Sequence, residues 1–330
     1  MAENSSIEWT DSTWPVVTGC DYASPGCANC YAVRDARRLS HNPNPRVAAA
    51  FAGVVEPTAA GKLRWTGRVN CLEERLDWPL KWKRPRKIFV CNQSDLFHED
   101  VPQAFIIAVF NRMARAPQHT FQVLTKRPAR MREMVQLIDA LRGGSSLYAN
   151  WPLPNVWLGV SVENQRFADE RIPLLLQTPA AVRFISAEPL LGPLELRHDW
   201  LYEYRNLNPV KAIVPAGAPL PRLSWVIVGG ESGKGARPFD LAWARSIVQQ
   251  CQAAGTAVFV KQLGAKPLEF FRRRPEDPQH VEGWTAVYSG DQASWYRYLR
   301  LKDKKGGTPD EWPHEGLRVR EFPEVAPCRP

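Results

Sequence analysis

Three cysteines lie close together near the start of the sequence, in the stretch "TGCDYASPGCANCYA" at residues 18–32. Cys20, Cys27 and Cys30 give the spacing C-x6-C-x2-C, and the intervening glycine and proline residues supply the tight turns that wrap a loop around a small inorganic cluster. Thiolate ligands select iron–sulfur clusters or zinc. A disulfide framework pairs its thiols and a closed structural zinc site takes four protein ligands, so three cysteines fit neither pattern.

Three cysteines on a four-iron cluster leave one iron open to a small molecule that carries an amino and a carboxylate group. S-adenosylmethionine is such a molecule, and a reduced cluster cleaves it for radical chemistry. The leading interpretation is therefore a [4Fe-4S] cluster with S-adenosylmethionine. A zinc site completed by a distant ligand such as His41 or Cys71 is the competing interpretation, and three unliganded thiols are a third.

The remaining cysteines do not suggest a site. The chain has seven cysteines, an odd number that does not favour disulfide pairing. Cys91 lies in an apolar strand pattern and Cys251 in a helical pattern, which predicts that both are small core residues. Cys71 and Cys328 have no assigned role beyond the zinc alternative.

The overall charge favours an anionic partner. The 330-residue chain has a net charge of +9 and a pI of about 9.3, and its basic stretches carry neighbouring aromatic residues. A nucleic-acid groove and a solvated basic face are both consistent with this composition. No apolar run is long enough to span a membrane and no secretory signal opens the chain, so we expect a soluble cytoplasmic protein. The basic stretches lie at 84–87, 126–132, 270–275 and 299–305.

Short apolar, β-branched runs alternate with helix-like segments along the chain. With an opening strand near "STWPVV" they number about seven, and strands that alternate with helices predict a parallel sheet. The fold class is therefore α/β, a partial or complete (β/α) barrel. Apolar residues at spacings of three and four predict helices at 102–116, 128–142 and 240–255. The strand runs are 87–95, 120–128, 155–164, 181–189, 224–233 and 257–264.

Polar residues follow nearly every predicted strand. The carboxyl ends of parallel strands meet at one edge, which builds the active site in barrel-like α/β folds, so these residues predict a shared pocket. Ser94, Asp95 and Ser161 could instead cap the following helices. Lys126 and Lys261 fit that role poorly, because a cation opposes the helix dipole there. The strand-end residues are Ser94, Asp95, Thr125, Lys126, Ser161, Glu163, Glu188, Glu231 and Lys261.

The predicted organisation is one barrel with additions. Residues 1–264 are expected to form the barrel, with insertions at about 40–86 and 197–222. Residues 265–330 are polar, rich in proline and tryptophan-bearing, which predicts a C-terminal extension packed on the barrel.

The motifs together resemble a known family. The cysteine segment is followed by "QSDLFHE", "VLTKRP", "GVSVEN", "ISAEPLLGP" and "VGGESG", and this order resembles a three-cysteine-motif family of phages and bacteria that looks like a branch of the radical S-adenosylmethionine enzymes. It is also similar to spore photoproduct lyase and its relatives. The first gap of six residues and Asn29 before the last cysteine depart from the common radical enzyme loop, and "GGE" at 229–231 comes late.

The resemblance implies roles for particular residues. It implies that Lys126 pairs with the carboxylate of S-adenosylmethionine and that Ser94 and Asp95 approach its amino group. Ser161 and Asn164 would contact the ribose. The Glu-Pro pair of the pattern adds Glu188 to the cofactor contacts. Gly229 and Gly230 would allow close backbone approach to adenine or substrate.

The function that the resemblance implies is a radical S-adenosylmethionine enzyme of lyase or isomerase type. A [4Fe-4S] cluster held by the three cysteines would generate a 5'-deoxyadenosyl radical that acts on a nucleic-acid base, in DNA repair or in phage DNA hypermodification such as rearrangement of an amino-acid-like group on thymine. DNA would be the partner, flavodoxin or ferredoxin the external electron donor, and the host cytoplasm the location if a phage encodes the chain. The alternatives are a DNA-binding protein with a structural metal loop and the same chemistry on a protein or small molecule.

Overall fold

The computed structural model of the chain describes residues 5–143, 145–202, 221–272, 284–289 and 292–324. Most of the excursion predicted at 197–222 lies outside these residues, as do Cys328 and the end of the C-terminal extension. Within the described ranges no helix is long and apolar enough to cross a membrane.

Seven parallel strands form the main sheet, and their number and sequence positions agree with the seven predicted runs. The sheet runs β1-β6-β7-β8-β9-β10-β12, so the strands are neighbours in nearly the order of the sequence, with β1 and β12 at its edges. This is an open, partial (β/α) barrel, as predicted. The strands are β1 (Ser12–Trp14), β6 (Lys87–Val90), β7 (Thr120–Thr125), β8 (Val156–Ser161), β9 (Val182–Ala187), β10 (Trp225–Gly229) and β12 (Ala257–Gln262).

Helices connect these strands. The three predicted helices are observed with ends that differ by a few residues at most, since their apolar stripes pack on the sheet. Helix 240–255 begins where Asp240 accepts a hydrogen bond from the Ala242 N–H and ends at Gly255, whose φ of 64° suits glycine. The helices are α1 (Tyr31–Ser40), α2 (Pro45–Ala50), α3 (Trp78–Lys81), α4 (Gln103–Ala114), α5 (Pro128–Leu141), α6 (Gln165–Leu176), α7 (His198–Leu201) and α8 (Leu241–Ala254).

The sheet separates two apolar layers because successive side chains of a strand point to opposite faces. In β10, Val226 and Val228 join the large core, whereas Trp225 and Ile227 join a smaller cluster of mostly aromatic residues. Trp225 is completely buried in that smaller cluster. Its ring lies 5.2 Å from that of Phe322, which the chain brings in from beyond the barrel.

Residues between α1 and β6 form small elements outside the main sheet. The hairpin of β3 (Val55–Pro57) and β4 (Leu63–Trp65) is antiparallel. The strand β2 (Val17–Thr18) pairs with β5 (Asn70–Cys71), which places this region beside the cysteine segment.

Three strands that follow β12 join a short strand that precedes α8 in a second sheet, and the chain then runs along the first sheet. The second sheet has the order β11-β13-β15-β14. Beyond it, the Glu321 N–H donates to the Val258 carbonyl, and the Val260 N–H donates to the Val319 carbonyl. These bonds occupy the free edge of β12, which would otherwise expose unpaired backbone groups. The second-sheet strands are β11 (Phe239–Asp240), β13 (Pro267–Arg272), β14 (Thr285–Ser289) and β15 (Gln292–Tyr298).

Candidate active site

A pocket lies at the carboxyl edge of the main sheet, where β6 to β10 and β12 end. It brings together every residue that the sequence proposes for cluster or cofactor binding except Asn164. Those lining residues are Cys20, Cys27, Cys30, Ser94, Asp95, Lys126, Ser161 and Glu188. Three further strand-end residues, Thr125, Glu231 and Lys261, line it as well.

Asn164 does not line this pocket. It is the N-cap of α6, and its side-chain oxygen accepts a hydrogen bond from the Phe167 N–H at 3.3 Å. Asparagine is favoured at this position because its side chain satisfies a free N–H of the first helical turn. Helix capping was an alternative role predicted for Ser161. The residue that caps α6 is instead Asn164, three residues later.

The Asp95 carboxylate is occupied by protein donors. One oxygen accepts the Thr125 hydroxyl at 2.7 Å, and the other accepts the Lys126 N–H at 3.0 Å and the Arg127 guanidinium at 3.1 Å. The Ser94 hydroxyl donates to the Gly19 carbonyl at 2.6 Å. Asp95 therefore fixes the end of β7 against the end of β6, and Ser94 fixes the cysteine segment to the same place.

The thiols of the cysteine loop lie among buried groups of both charges. Burial raises the pKa of Cys20 to about 12, with a further contribution from the Asp95 carboxylate. The Arg127 guanidinium opposes this shift from 3.9 Å. Burial also raises the pKa of Cys30, and the Lys126 ammonium opposes the rise. Metal binding at these two cysteines must therefore displace protons at neutral pH.

A fully buried carboxylate, Glu163, lies beneath the cysteine loop. It accepts the Ser24 hydroxyl and, at 3.2 Å, the Arg171 guanidinium. A Cβ atom on Gly26 would be 2.5 Å from the Glu163 carboxylate, so only glycine lets the loop pass this closely. The Lys126 ammonium lies 3.9 Å from the same carboxylate, at ion-pair distance but beyond a hydrogen bond. Glu163 thus supports both the loop and the lysine.

A second acidic side chain, Glu188, faces the pocket from the end of β9. Its Oε1 accepts the Lys261 ammonium at 2.7 Å and the Gln262 amide at 3.1 Å. In the described part of the chain Oε2 has no hydrogen-bond donor, so this oxygen remains available to a ligand.

The two glycines at the end of β10 allow close packing within the protein. A Cβ atom on Gly230 would be 2.5 Å from the Leu263 carbonyl oxygen, and one on Gly229 would be 3.1 Å from the Glu188 carboxyl carbon. These glycines allow close packing against Leu263 and Glu188, and Gly230 also lines the pocket, so the expected approach to adenine or substrate stays a prediction.

Glu231, the next residue, ties the end of β10 to the cysteine loop. Its carboxylate accepts the Asn29 amide at 3.0 Å and the Arg237 guanidinium at 2.6 Å, and Arg237 also donates to the Pro25 carbonyl at 3.0 Å. Burial disfavours the charged form of Glu231, but the hydrogen bonds from Arg237 and Asn29 outweigh it and hold the pKa below its ordinary value. Asn29, which departs from the common radical enzyme loop, therefore has a structural partner here.

The floor of the pocket is apolar, and two of the residues that line the pocket, Trp9 and Asn92, carry buried polar atoms that sequence reasoning missed. Ile7, Trp9, Phe89 and Leu124 form this floor, and the Trp9 and Phe89 rings are 4.7 Å apart. The indole Nε1 of Trp9 and the amide Oδ1 of Asn92 are buried without a hydrogen-bond partner in the described part of the protein. Trp9 precedes the first strand and has no motif around it, so no sequence signal marked it.

A fourth cysteine, the buried Cys91, also lines the pocket, whereas the two fourth zinc ligands proposed from the sequence lie elsewhere. Neither His41 nor Cys71, the proposed fourth zinc ligands, lines the pocket: the His41 imidazole bonds to the Arg37 carbonyl, and Cys71 pairs with Val17 across β5 and β2. Among the residues that the structure describes, no three His, Cys, Asp or Glu side chains surround a point for a single ion. Sulfur ligands of one zinc all lie about 2.3 Å from it, whereas cysteines of an iron–sulfur cluster bind its separate irons.

Comparisons with known proteins identify a family. The family profile described as "Protein of unknown function (DUF5131)" matches residues 4–289. None of the curated proteins matches the chain. A solved structure titled "Spore photoproduct lyase complexed with dinucleoside spore photoproduct" is similar at 12% sequence identity and a TM-score of 0.37, over 90% of this chain and 71% of that one.

Proposed function

We propose that this chain, which belongs to the DUF5131 family, is a radical S-adenosylmethionine enzyme that acts on a base of nucleic acid. The observation that supports the proposal is one pocket at the carboxyl edge of the sheet, where Cys20, Cys27 and Cys30 meet Lys126 and Glu188. Cys20, Cys27 and Cys30 would hold a [4Fe-4S] cluster. When bound, that cluster supplies the electron that cleaves S-adenosylmethionine to a 5'-deoxyadenosyl radical.

Lys126 is the proposed partner of the cofactor carboxylate. Its ammonium makes no hydrogen bond within the described residues, and its nearest carboxylate, Glu163, is already bound by Arg171 and Ser24. A half-buried cation whose nearest carboxylate is already bound by other donors retains its capacity to bind a second carboxylate. Asp95 would position Lys126 through the backbone N–H instead of contacting the cofactor amino group itself.

Ser161 and Glu188 are the proposed contacts for the adenosine part. Both side chains line the pocket, and the Glu188 Oε2 lacks a protein donor in the described ranges while Lys261 and Gln262 hold Oε1. A carboxylate oxygen and a hydroxyl suit the hydroxyl groups of a ribose. Asn164 is left out of this set because its side chain caps α6.

The pocket floor suggests the substrate class. Aromatic rings and two side chains with polar groups, Trp9 and Asn92, line this part of the pocket, which would suit a planar heterocycle that has its own acceptor and donor. Nucleic-acid bases have this combination, and enzymes that modify a base in a duplex first rotate it out of the stack. We propose a damaged or already modified DNA base as the substrate.

The test is anaerobic reconstitution with iron, sulfide, S-adenosylmethionine and a reductant. We expect a brown protein with about four irons per chain and the formation of 5'-deoxyadenosine. Cys27→Ala should lose both iron and product, whereas Cys71→Ala, which removes a thiol outside the pocket, should retain both. A colourless protein with one zinc, or product that persists in Cys27→Ala, would refute the proposal.

A further inference from the structure

We propose that a basic groove on the outer side of the cysteine loop binds a single strand of nucleic acid and leads it to the pocket. The inference rests on the proposed function for the class of substrate, and it concerns a surface that meets the cofactor pocket at the cysteine loop. The groove lies between the cysteine loop, the β3–β4 hairpin and the loop after β10, and it encloses about 580 Å³. Its lining residues are Tyr22, Cys27, Ala28, Asn29, Cys30, Val33, Arg34, Thr58, Lys62, Leu63, Arg64, Trp65 and Lys234.

The groove carries positive charge that the protein leaves uncompensated. Its lining includes four cations and no carboxylate. Arg64 pairs with Glu56 at 2.6 Å, but within the described residues no carboxylate lies within ion-pair distance of Arg34, Lys62 or Lys234. All three are exposed, so their charges are available to phosphates.

Two aromatic side chains stand among these cations. Tyr22, which belongs to the cysteine loop, is 64% exposed, and the half-buried Trp65 ends β4. The ring of Tyr22 presents apolar surface to water, and stacking on a base would remove that surface from water. Cations that follow a backbone and aromatic rings that stack on bases are the usual components of a single-strand groove.

The groove is continuous with the pocket. Cys27, Asn29, Cys30 and Trp65 border both spaces, so the groove and the pocket meet at the cysteine loop. A strand that lies in the groove would therefore have a base within reach of the apolar floor around Trp9 and Phe89.

The shape and the rings favour nucleic acid over an acidic electron carrier as the occupant. A folded acidic protein would also be attracted to the four cations, but it would meet a concave surface and an exposed tyrosine. An extended polymer with a charge on every unit and a flat ring on every unit matches both features. Binding of an acidic electron carrier in the groove is therefore the alternative that the experiment must distinguish.

The experiment measures binding of a fluorescent single-stranded oligonucleotide to the cluster-containing protein at several salt concentrations. The test variant reverses the three uncompensated cations (Arg34→Glu, Lys62→Glu and Lys234→Glu). The matched control reverses three exposed cations near the amino end of β6, at the opposite edge of the sheet (Lys81→Glu, Lys83→Glu and Arg84→Glu), which makes the same change in net charge.

We expect the groove variant to bind at least about tenfold more weakly at low salt, with a dependence of log K on log salt about 2 units less steep, because each single-strand phosphate contact contributes about 0.7. The control variant should bind within about threefold of the unmodified protein. Tyr22→Ala should weaken binding about tenfold without changing the salt dependence, because stacking involves no counterion release.

Equal binding by the two triple variants would overturn the proposal. A second result would also overturn the proposal: the groove variant binds the oligonucleotide normally, but it cleaves S-adenosylmethionine slowly when flavodoxin is the reductant and at the normal rate with dithionite. The groove would then be the binding site of the electron carrier. Iron content, measured in the same samples, separates these results from failure of the proposed function, which would show as missing iron and missing 5'-deoxyadenosine in the unmodified protein.

Discussion

Two lysine–glutamate pairs lie at the strand ends around the pocket, and the surroundings of the two pairs differ. Lys126 lies 3.9 Å from Glu163, a carboxylate with no exposed surface that Arg171 and Ser24 already bind. Lys261 lies 2.7 Å from Glu188, and both of these side chains retain about a fifth of their exposure.

The two carboxylates differ in what binds them: Glu163 is held by protein groups, whereas Glu188 has one oxygen without a protein donor in the described ranges. Glu163 is saturated by protein donors, so its neighbour Lys126 keeps a cation for a ligand. At the other pair the lysine is satisfied by Glu188, and Glu188 keeps an oxygen for a ligand. The same residue types at two strand ends therefore present opposite charges to the pocket.

The largest effect expected from this comparison is on stability. Glu163→Gln leaves Arg171 buried without its carboxylate and should lower the free energy of unfolding by about 3–5 kcal/mol. Glu188→Gln should cost about 1 kcal/mol, because that pair is closer to water. Urea unfolding of both variants at neutral pH checks the difference. Glu163→Leu combined with Arg171→Leu, which removes both charges, should recover part of the loss, and equal losses at positions 163 and 188 would contradict the distinction.

The next effect is on cofactor binding. Lys126→Met should weaken S-adenosylmethionine binding to the cluster-containing protein by about 10- to 100-fold, the range for a charge-assisted hydrogen bond of about 1.5–3 kcal/mol. Lys261→Met, which removes a cation already paired with Glu188, should change the Kd by less than about threefold. Anaerobic equilibrium dialysis measures both. A larger loss in Lys261→Met would reverse the roles that we assign to the two lysines.

A smaller effect is expected on the pH dependence of stability. It comes from Glu231, the carboxylate that links the end of β10 to the cysteine loop. The pKa of Glu231 is held below its ordinary value, so its bonds to Arg237 and Asn29 stabilise the fold fully above about pH 4.3 and are lost as the pH falls through the lowered pKa. Urea midpoints of the unmodified protein should fall between pH 7 and pH 3.5. Glu231→Gln should have a lower midpoint at pH 7 and a shallower fall. The exposed Glu56→Gln is the control, and its pH profile should follow that of the unmodified protein.

The smallest effect is expected at an exposed pair outside the pocket. Arg64 and Glu56 are 2.6 Å apart on the β3–β4 hairpin, with 65% and 44% of their side chains exposed. Arg64→Ala should change the free energy of unfolding by less than about 1 kcal/mol, since water and salt screen such pairs. Urea unfolding at low and high salt measures this baseline. A change as large as that of Glu163→Gln would show that distance, and not burial, governs these ion pairs.

Much of the fold was predictable from local patterns. The seven main strands and three of the helices follow from periodic apolar residues, because one buried face requires that repeat. The short strands β2 to β5 were not predicted, since segments of two or three residues have no periodicity to detect and depend on contacts with distant partners.

Much of the site was also predictable, because parallel strands bring their carboxyl ends to one edge. Cys20, Lys126 and Glu188 line one pocket as this rule requires. Asn164, expected to contact the ribose, does not line the pocket, because its side chain caps α6. Trp9 was missed because its indole is unpaired only in the folded chain.

The basic surface shows where sequence reasoning ends. The basic run at 126–132 is largely internal: Arg127 pairs with Asp95, and Arg130 donates to the carbonyls of His98 and Val101. The groove cations Arg34, Lys62 and Lys234 are isolated along the chain and lie in none of the four basic stretches.

The sequence by itself determined the grouping of three cysteines, the alternation of strands and helices and the edge at which polar residues collect. These depend on residue type and on periods of a few residues. Only the tertiary structure decided which charges are neutralised, that Glu163 is saturated while Glu188 is not, and that cations from three segments line one groove. The physical reason is that electrostatic interactions depend on distance and burial in space, which the spacing of residues along a chain does not specify.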